Sequence, residues 1–204
     1  MTEKIGQFFF KSRSFTPVPF LLVILVFAAP AWWSVTLGAG LMLLGEAIRI
    51  WGVGYAGFIT RTRNVGAPLL VTSGPFAIIR NPLYAGNFFL ALGACVAFNA
   101  LMPWVLILYV VLYGVQYHFI VRLEETTLEN KFGDAYRRYT AKVPRFFPGF
   151  RKYDEPSQVF FNAGIAFANE RKTFVSIVLI LALSILLTLH RNPVLPWIRS
   201  LLSA

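Results

Sequence analysis

Polar and aromatic residues surround the start of one apolar run. Arg80 and Asn81 precede Pro82, and Tyr84 and Gly86 follow it. Because proline favours the first turn of a helix and keeps the preceding residue extended, we predict that a helix begins at Pro82. The free N–H groups of its first turn, beside Arg80 and Asn81, suit a carboxylate or another anion. Tyr84 offers a hydroxyl or an aromatic face, and Gly86 is predicted to leave room for a ligand.

Two adjacent carboxylates, Glu124 and Glu125, lie at the end of a later apolar run. Carboxylates there are costly unless a polar or cationic group needs them. They could hold ribose hydroxyls, attract a cationic ligand, or pair with the arginines of the first segment. The plainer alternative is that Arg80 and the two glutamates form interfacial salt bridges. The residue types alone leave both interpretations open.

Two aromatic and basic features follow the glutamates. Tyr136 and Tyr139 are three residues apart, which places them on one face of a helix, where they could also form an aromatic belt. The stretch VPRFFP, from Val143 to Pro148, contains two prolines and includes Arg145. It resists regular helix and is predicted to form a strap with a fixed backbone.

A second charged pair lies inside an apolar run. Glu46 and Arg49 are three residues apart and share a helical face. Charges inside a membrane span are costly unless they pair or face water. They are therefore either a self-satisfied pair or the lining of a polar cavity for substrate, and the sequence does not decide between these two interpretations.

The elements that must position these residues are long apolar runs. Of the 204 residues, 57% are hydrophobic and only 14% are charged, a balance typical of membrane proteins. We predict an all-α polytopic membrane protein with about five transmembrane helices, the third and fourth forming a tight hairpin. The five runs are Pro17–Trp33 (interpreted as a retained span rather than a cleaved signal peptide), Ser34–Phe58, Leu83–Phe98, Leu101–Ile120 and Thr173–Leu189.

The formal net charge of +10 is distributed as in cytoplasmic loops rather than as in a nucleic-acid-binding surface. The amino terminus and segments 59–82 and 121–172 are basic, so these segments and any polar cofactor are expected on the cytosolic side. The third and fourth runs could also be a partly re-entrant hairpin with the same sidedness. We expect the protein to lie in a prokaryotic inner membrane, and we do not expect it to bind nucleic acid.

The chain is interpreted as one membrane-embedded domain. Residues 1–58 hold two spans, 59–150 a core with the hairpin, and 151–204 an interfacial segment and the last span. Cys95 is the single cysteine, and no Cys/His cluster has metal-ligand spacing, so neither a disulfide nor a metal is expected. Glycines in the second run give a small-residue spacing that lets helices approach closely.

Together, the motifs resemble those of the isoprenylcysteine carboxyl methyltransferase and phospholipid methyltransferase family. The shared pattern is Arg80-Asn81-Pro82-x-Tyr84-x-Gly86, then a hairpin, Glu124-Glu125-x-x-Leu128, Phe-Gly-x-x-Tyr-x-x-Tyr and Val-Pro-Arg-Phe-x-Pro. It covers roughly residues 65–150. The clear departure is Asn81, where the family usually has histidine.

This resemblance implies a membrane methyltransferase that uses S-adenosylmethionine and a lipophilic acceptor arriving from the bilayer. By position, Arg80, Asn81, Tyr84 and Gly86 would form one wall of a cofactor pocket open to the cytosol. The glutamates would form the other wall, and the strap, beginning at Val143, would close over the adenosine. The cofactor-binding residues predicted in this way are Arg80, Asn81, Tyr84, Gly86, Glu124, Glu125, Tyr136, Tyr139 and Val143.

Asparagine cannot titrate near neutral pH, so the chain lacks a base at position 81 if the family uses one there. This favours an acceptor that arrives ionised, and Arg80 or Arg145 is predicted as the catalytic partner of an acceptor carboxylate. A lipid amine, a phenol and a thiol remain open as acceptors. An NADPH-dependent reductase of the sterol reductase type and a non-catalytic membrane protein are the alternative functions.

Overall fold

The structure is a computed structural model that describes residues 2–12, 17–57 and 68–190. Within these ranges the chain contains seven α-helices, one 3-10 helix (Gly74–Ala77) and no strand. Part of the basic segment 59–82, including Arg61 and Arg63, lies outside the described residues. The helices are α1 (Thr2–Ser12), α2 (Pro17–Val26), α3 (Trp32–Ala56), α4 (Pro82–Phe98), α5 (Trp104–Phe132), α6 (Asp134–Lys142) and α7 (Ala163–Leu189).

Three of these helices, α3, α5 and α7, are long and apolar enough to cross a membrane. Helix α4 is apolar but has 17 residues. The prediction of an all-α polytopic membrane protein is confirmed, and the tight connection between α4 and α5 is present as predicted. The first predicted span differs, because α2 has only 10 residues and the tryptophans at positions 32 and 33 begin α3.

Two helices extend beyond the apolar runs that predicted them. Helix α5 continues to Phe132 and therefore carries both Glu124 and Glu125. Helix α7 begins at Ala163, ten positions before the predicted start of the last span, so Glu170 is helical. The polar turn at the end of α5 and the polar turn at the start of α7 lie at the same end of the helix bundle as the start of α4. Charged groups from these segments therefore come together there.

The closest helix contact is between α3 and α4, and glycines make it possible. A Cβ atom on Gly38 would lie 2.5 Å from the carbonyl oxygen of Gly93, and one on Gly45 would lie 2.6 Å from that of Gly86. Side chains at these positions would push the two helices apart, so the small residues allow their backbones to touch. The prediction of close approach is confirmed for this pair of helices.

We expect Gly38→Ala to destabilise the protein by about 1–3 kcal/mol, because the new methyl group would overlap the backbone of α4. Gly40→Ala is the matched control, since a Cβ at Gly40 meets no atom within 4 Å. Thermal unfolding of the two variants in the same detergent measures the difference. Equal unfolding temperatures would contradict this account of the α3–α4 contact.

Candidate functional site

A cluster of charged residues joins the start of α4 to the polar end of α5. Arg80 Nη1 donates to Glu125 Oε1 at 2.8 Å, and Arg145 Nε donates to the same oxygen at 3.0 Å. Arg145 Nη2 also donates to Glu125 Oε2. The side chains of Arg80 and Glu125 are each 15% exposed, and that of Arg145 is 34% exposed. Glu125 is thus the shared partner of two arginines that are far apart in the sequence.

The strap, residues 143–148, is bound directly to the start of α4. The backbone N–H of Arg80 donates to the carbonyl oxygen of Pro144 at 2.9 Å, and Asn81 Nδ2 donates to that of Arg145 at 3.1 Å. Farther along, Gly149 N–H donates to the carbonyl oxygen of Ile78 at 2.7 Å. Asn81 therefore acts here as a hydrogen-bond donor, which requires no titration at this position.

Glu124 makes a second connection between α5 and α4. The hydroxyl of Tyr84 donates to Glu124 Oε1 at 2.5 Å, and the hydroxyl of Tyr113 donates to the carbonyl oxygen of Tyr84 at 2.6 Å. The Tyr84 ring also packs on Tyr117 at 4.7 Å between centroids. The two adjacent glutamates therefore have different partners: Glu125 binds arginines and Glu124 binds a tyrosine.

Tyr136, Tyr139 and Val143 belong to a buried cluster rather than to an open wall. The Tyr139 hydroxyl already donates to the carbonyl oxygen of Phe76 at 2.7 Å. Burial raises the pKa of Tyr136 and of Tyr139, and the nearby Glu125 carboxylate raises the pKa of Tyr136 further. Both phenols therefore stay protonated at neutral pH. The positions of Tyr139 and Val143 support packing beneath the charged cluster more directly than they support cofactor contact.

The interpretation of Gly86 as space for a ligand is wrong. A Cβ atom there would lie 2.5 Å from Cγ of Arg49 and 2.8 Å from the carbonyl oxygen of Gly45. The space beside Gly86 is filled by α3, so its small size serves helix packing. A glycine that admits a neighbouring helix and one that admits a ligand look alike in a sequence.

The charged pair on α3 is part of a larger network that helical spacing alone does not reveal. Arg49 Nε donates to Glu170 Oε2 at 3.1 Å, and Nη2 donates to Glu170 Oε1 at 2.6 Å, whereas Nε lies 4.0 Å from Glu46. Arg49 Nη1 donates to Asn87 Oδ1, and the Thr173 hydroxyl donates to Glu170 Oε2 at 2.6 Å. The principal partner of Arg49 is therefore Glu170 on α7. Glu46 and Arg49 do not form a self-contained pair.

A cavity of about 490 Å³ lies among α2, α3, α4, α5 and α7. This volume falls within the ~300–1,000 Å³ typical of small-molecule sites. Glu46 and Arg49, predicted to contact substrate, do not line it; Arg49 instead binds Asn87, which does. Its apolar part is lined by Phe20, Leu21, Ile24, Met42, Leu90, Ala91, Ala94, Cys95, Tyr109, Leu112, Ile177 and Ile180, and its polar part by Asn87, Tyr113, Gln116, Tyr117, Lys172, Thr173 and Ser176.

The cavity and the charged cluster are neighbours. Tyr113 and Tyr117 line the cavity, and both contact Tyr84, whose hydroxyl binds Glu124. Tyr84 therefore connects the largely apolar cavity to a group of two arginines and two carboxylates. This arrangement can hold a polar ligand at the end of the helices and a lipophilic molecule between them. Among the described residues, no three His, Cys, Asp or Glu side chains are placed to share a metal ion.

The sequence is similar to those of known proteins. A family model described as phospholipid methyltransferase matches residues 33–135, about half of the 204-residue chain. A cobalt-zinc-cadmium resistance protein, CzcN, from Cupriavidus metallidurans is 30% identical over 145 residues, which cover 67% of this chain and 62% of the relative. A protein-S-isoprenylcysteine O-methyltransferase from Schizosaccharomyces pombe is 31% identical over 117 residues, covering 55% of this chain and 49% of the relative. The chain thus matches less than two thirds of the length of either relative, and no solved structure gave a significant match.

Proposed function

Because the chain belongs to the phospholipid methyltransferase family, we propose that it transfers the methyl group of S-adenosylmethionine to a lipophilic acceptor within the membrane. The observation that supports the proposal most is the charged cluster around Glu125, which Tyr84 connects to the cavity between the helices. A polar cofactor and an apolar acceptor need such adjoining sites if their reacting atoms are to meet.

The residues of the cluster fit the cofactor. Arg80 Nε is buried and has no hydrogen-bond partner among the described residues. Such a buried donor is costly unless an acceptor arrives. Two arginines share the Glu125 carboxylate, so the group formed by these three residues has a positive excess. The carboxylate of S-adenosylmethionine has the charge and the acceptor oxygens that this group lacks.

Each side chain would have a separate task. Arg80 would bind the cofactor carboxylate, and Arg145 would keep the strap and Glu125 in place. Glu124, oriented by Tyr84, would offer a negative charge toward the cationic end of the cofactor or accept from its ribose hydroxyls. When bound, S-adenosylmethionine supplies a methyl group on a sulfonium, which is already activated for transfer. The protein therefore needs chiefly to align the two reactants and exclude water.

The chain is an integral membrane protein, and we propose that the charged cluster faces the cytosol. The basic amino terminus and the basic segment after α5 support this orientation through the positive-inside rule. The acceptor would reach the cavity from the bilayer, because exposed apolar side chains of α5 and α7 surround the cavity region.

The proposal can be tested by incubating the purified protein with methyl-labelled S-adenosylmethionine and a lipid extract of the membranes that contain it. We expect the label to enter the organic phase, and no transfer with a Glu125→Ala variant. Absence of transfer, together with oxidation of NADPH by the same preparation, would replace the proposal with the reductase alternative.

We expect Tyr84→Phe to weaken binding of S-adenosylmethionine about ten- to hundredfold, because hydrogen bonds to a charged group contribute ~1.5–3 kcal/mol. The ring contact with Tyr117 would remain, so the fold should be kept. Tyr153→Phe is the control, since among the described residues that hydroxyl makes only a 3.5 Å contact with Glu155. Equal affinities of the two variants, measured by calorimetry, would show that the Tyr84 hydroxyl has no role in the site.

A further inference from the structure

The polar end of the cavity contains an amide whose orientation is fixed. A guanidinium can only donate hydrogen bonds, so the Asn87 atom that faces Arg49 Nη1 must be Oδ1. Arg49 is itself held by two hydrogen bonds to Glu170, which is fully buried. The amide therefore cannot flip without losing its contact with a buried ion pair.

The fixed orientation leaves the amide nitrogen as the group that Asn87 offers to the cavity. Asn87 lines the cavity, and within the described part of the chain its Nδ2 donates to no protein acceptor. Neighbouring hydroxyls instead donate to the protein: that of Thr173 to Glu170, and that of Ser176 to the carbonyl oxygen of Lys172. Asn87 is thus a donor that awaits an acceptor.

The charge of the lining points in the same direction. Lys172 is the one charged side chain among the described residues that line the cavity, and no carboxylate is present there. A protonated amine would face this ammonium group without a counter-charge, whereas an oxygen-bearing head group would accept from both donors. The apolar remainder of the cavity suits a hydrocarbon chain.

We propose that Asn87, held by the Arg49–Glu170 ion pair, determines acceptor specificity by donating a hydrogen bond to an oxygen-bearing head group of a single-chain lipophile. The inference rests on the proposed function, since it assigns the acceptor class to the same enzyme. It favours a carboxylate or phenol oxygen over a lipid amine as the methyl acceptor at the polar end of the cavity. An ester is not itself an acceptor and serves in the test as a neutral analogue that offers an oxygen.

The experiment compares three probes of equal chain length: myristic acid, methyl myristate and tetradecylamine. Each is titrated against the purified protein, and its dissociation constant is obtained from the concentration dependence of the unfolding temperature. The acid and the ester are expected to bind, and the amine is expected to bind at least about tenfold more weakly than the ester. The variants are Asn87→Leu, Asn87→Asp and the control Thr140→Ala, which removes an exposed hydroxyl of α6 outside the cavity.

Asn87→Leu should remove the preference of the ester over the amine, and Thr140→Ala should keep it. Asn87→Asp keeps a partner for Arg49 but replaces the donor with an acceptor, so the preference should reverse toward the amine. A merely structural role of Asn87 would not reverse a preference. Equal binding of amine and ester by the unmodified protein, an unchanged preference in Asn87→Leu, or no binding of any probe would overturn the inference.

Binding of S-adenosylmethionine to the same preparations separates the two proposals. If the cofactor binds and the probes do not, the acceptor inference fails alone. If the probes bind with the expected preference and the cofactor does not, the methyltransferase proposal fails, and the specificity of the cavity stands as a property of a lipid-binding site.

Discussion

Glu125→Ala is expected to weaken the binding of S-adenosylmethionine by at least roughly a hundredfold, because the change removes the shared partner of two arginines. Arg80 Nη1, Arg145 Nε and Arg145 Nη2 all donate to this one carboxylate. Without it, two mutually repelling cations remain in a site of low exposure, and the strap loses its side-chain contact with α5. The dissociation constant, measured by isothermal titration calorimetry, reports the effect.

Glu129→Ala is the matched control for this prediction. Glu129 lies on the same helix, one turn later, and pairs with Arg137 at 2.8 Å, but both side chains are largely exposed. Exposed ion pairs contribute only about 0–1 kcal/mol, so this variant should bind the cofactor normally. The account of the cluster would be contradicted if a folded Glu125→Ala protein bound the cofactor as tightly as the Glu129→Ala protein.

Glu170→Ala is expected to lower the free energy of unfolding by about 3–5 kcal/mol, the effect of removing one partner of a buried ion pair. Glu170 is fully buried, and it receives two hydrogen bonds from Arg49 and one from the Thr173 hydroxyl. The substitution would leave the Arg49 charge inside the helical bundle, with the Glu46 carboxylate 4.0 Å away. Denaturant unfolding in mixed micelles measures the change.

Two further variants make the prediction for Glu170 specific. Asp154→Ala removes a carboxylate that pairs with Lys142 on the exposed surface, and it should leave the free energy of unfolding nearly unchanged because exposed ion pairs contribute little. The double variant Arg49→Ala/Glu170→Ala should be less destabilised than the sum of its single variants, because residues in direct contact are coupled. Simple additivity would mean that the two side chains contribute independently and that the ion pair is not the source of the effect.

The charged cluster could be predicted from the sequence because its residues lie at positions where a charged side chain is unusual. An Arg-Asn-Pro helix start and a Glu-Glu helix end are polar groups at the borders of apolar runs, where their presence requires a reason. The structure brings Arg80, Glu125 and Arg145 together through hydrogen bonds. The all-helical membrane fold was predictable for a similar reason, since long apolar runs in a chain of this length leave few alternatives.

The partner of Arg49 could not be predicted in the same way. Glu170 is 121 positions away in the sequence. It precedes the last apolar run, so the sequence predicts an interfacial position for it, whereas α7 begins at Ala163 and includes it. Glu46, three positions from Arg49, was the simpler choice by helical spacing. The signal in the sequence is Glu170 itself, a lone carboxylate one turn before the last apolar run. It indicates a partner on another helix, because a buried charge needs one.

The residue types at Gly86 and Tyr139 do not by themselves decide between packing and ligand contact. Small residues permit both helix contact and ligand contact, and buried tyrosines occur both in cores and at binding sites. The space beside Gly86 is filled by α3, and the Tyr139 hydroxyl donates a hydrogen bond to the carbonyl oxygen of Phe76. Only the packing of distant segments decides which role such residues have, and a single sequence does not contain that information.

The most direct test of the central claim is equilibrium binding of S-adenosylmethionine, its demethylated product and NADPH to the purified protein in lipid nanodiscs. The account predicts that both sulfur-containing nucleosides bind and compete with each other, and that NADPH displaces neither. Failure of both nucleosides to bind a protein that unfolds cooperatively, or displacement of either by NADPH, would contradict the assignment of the charged cluster as a site for S-adenosylmethionine.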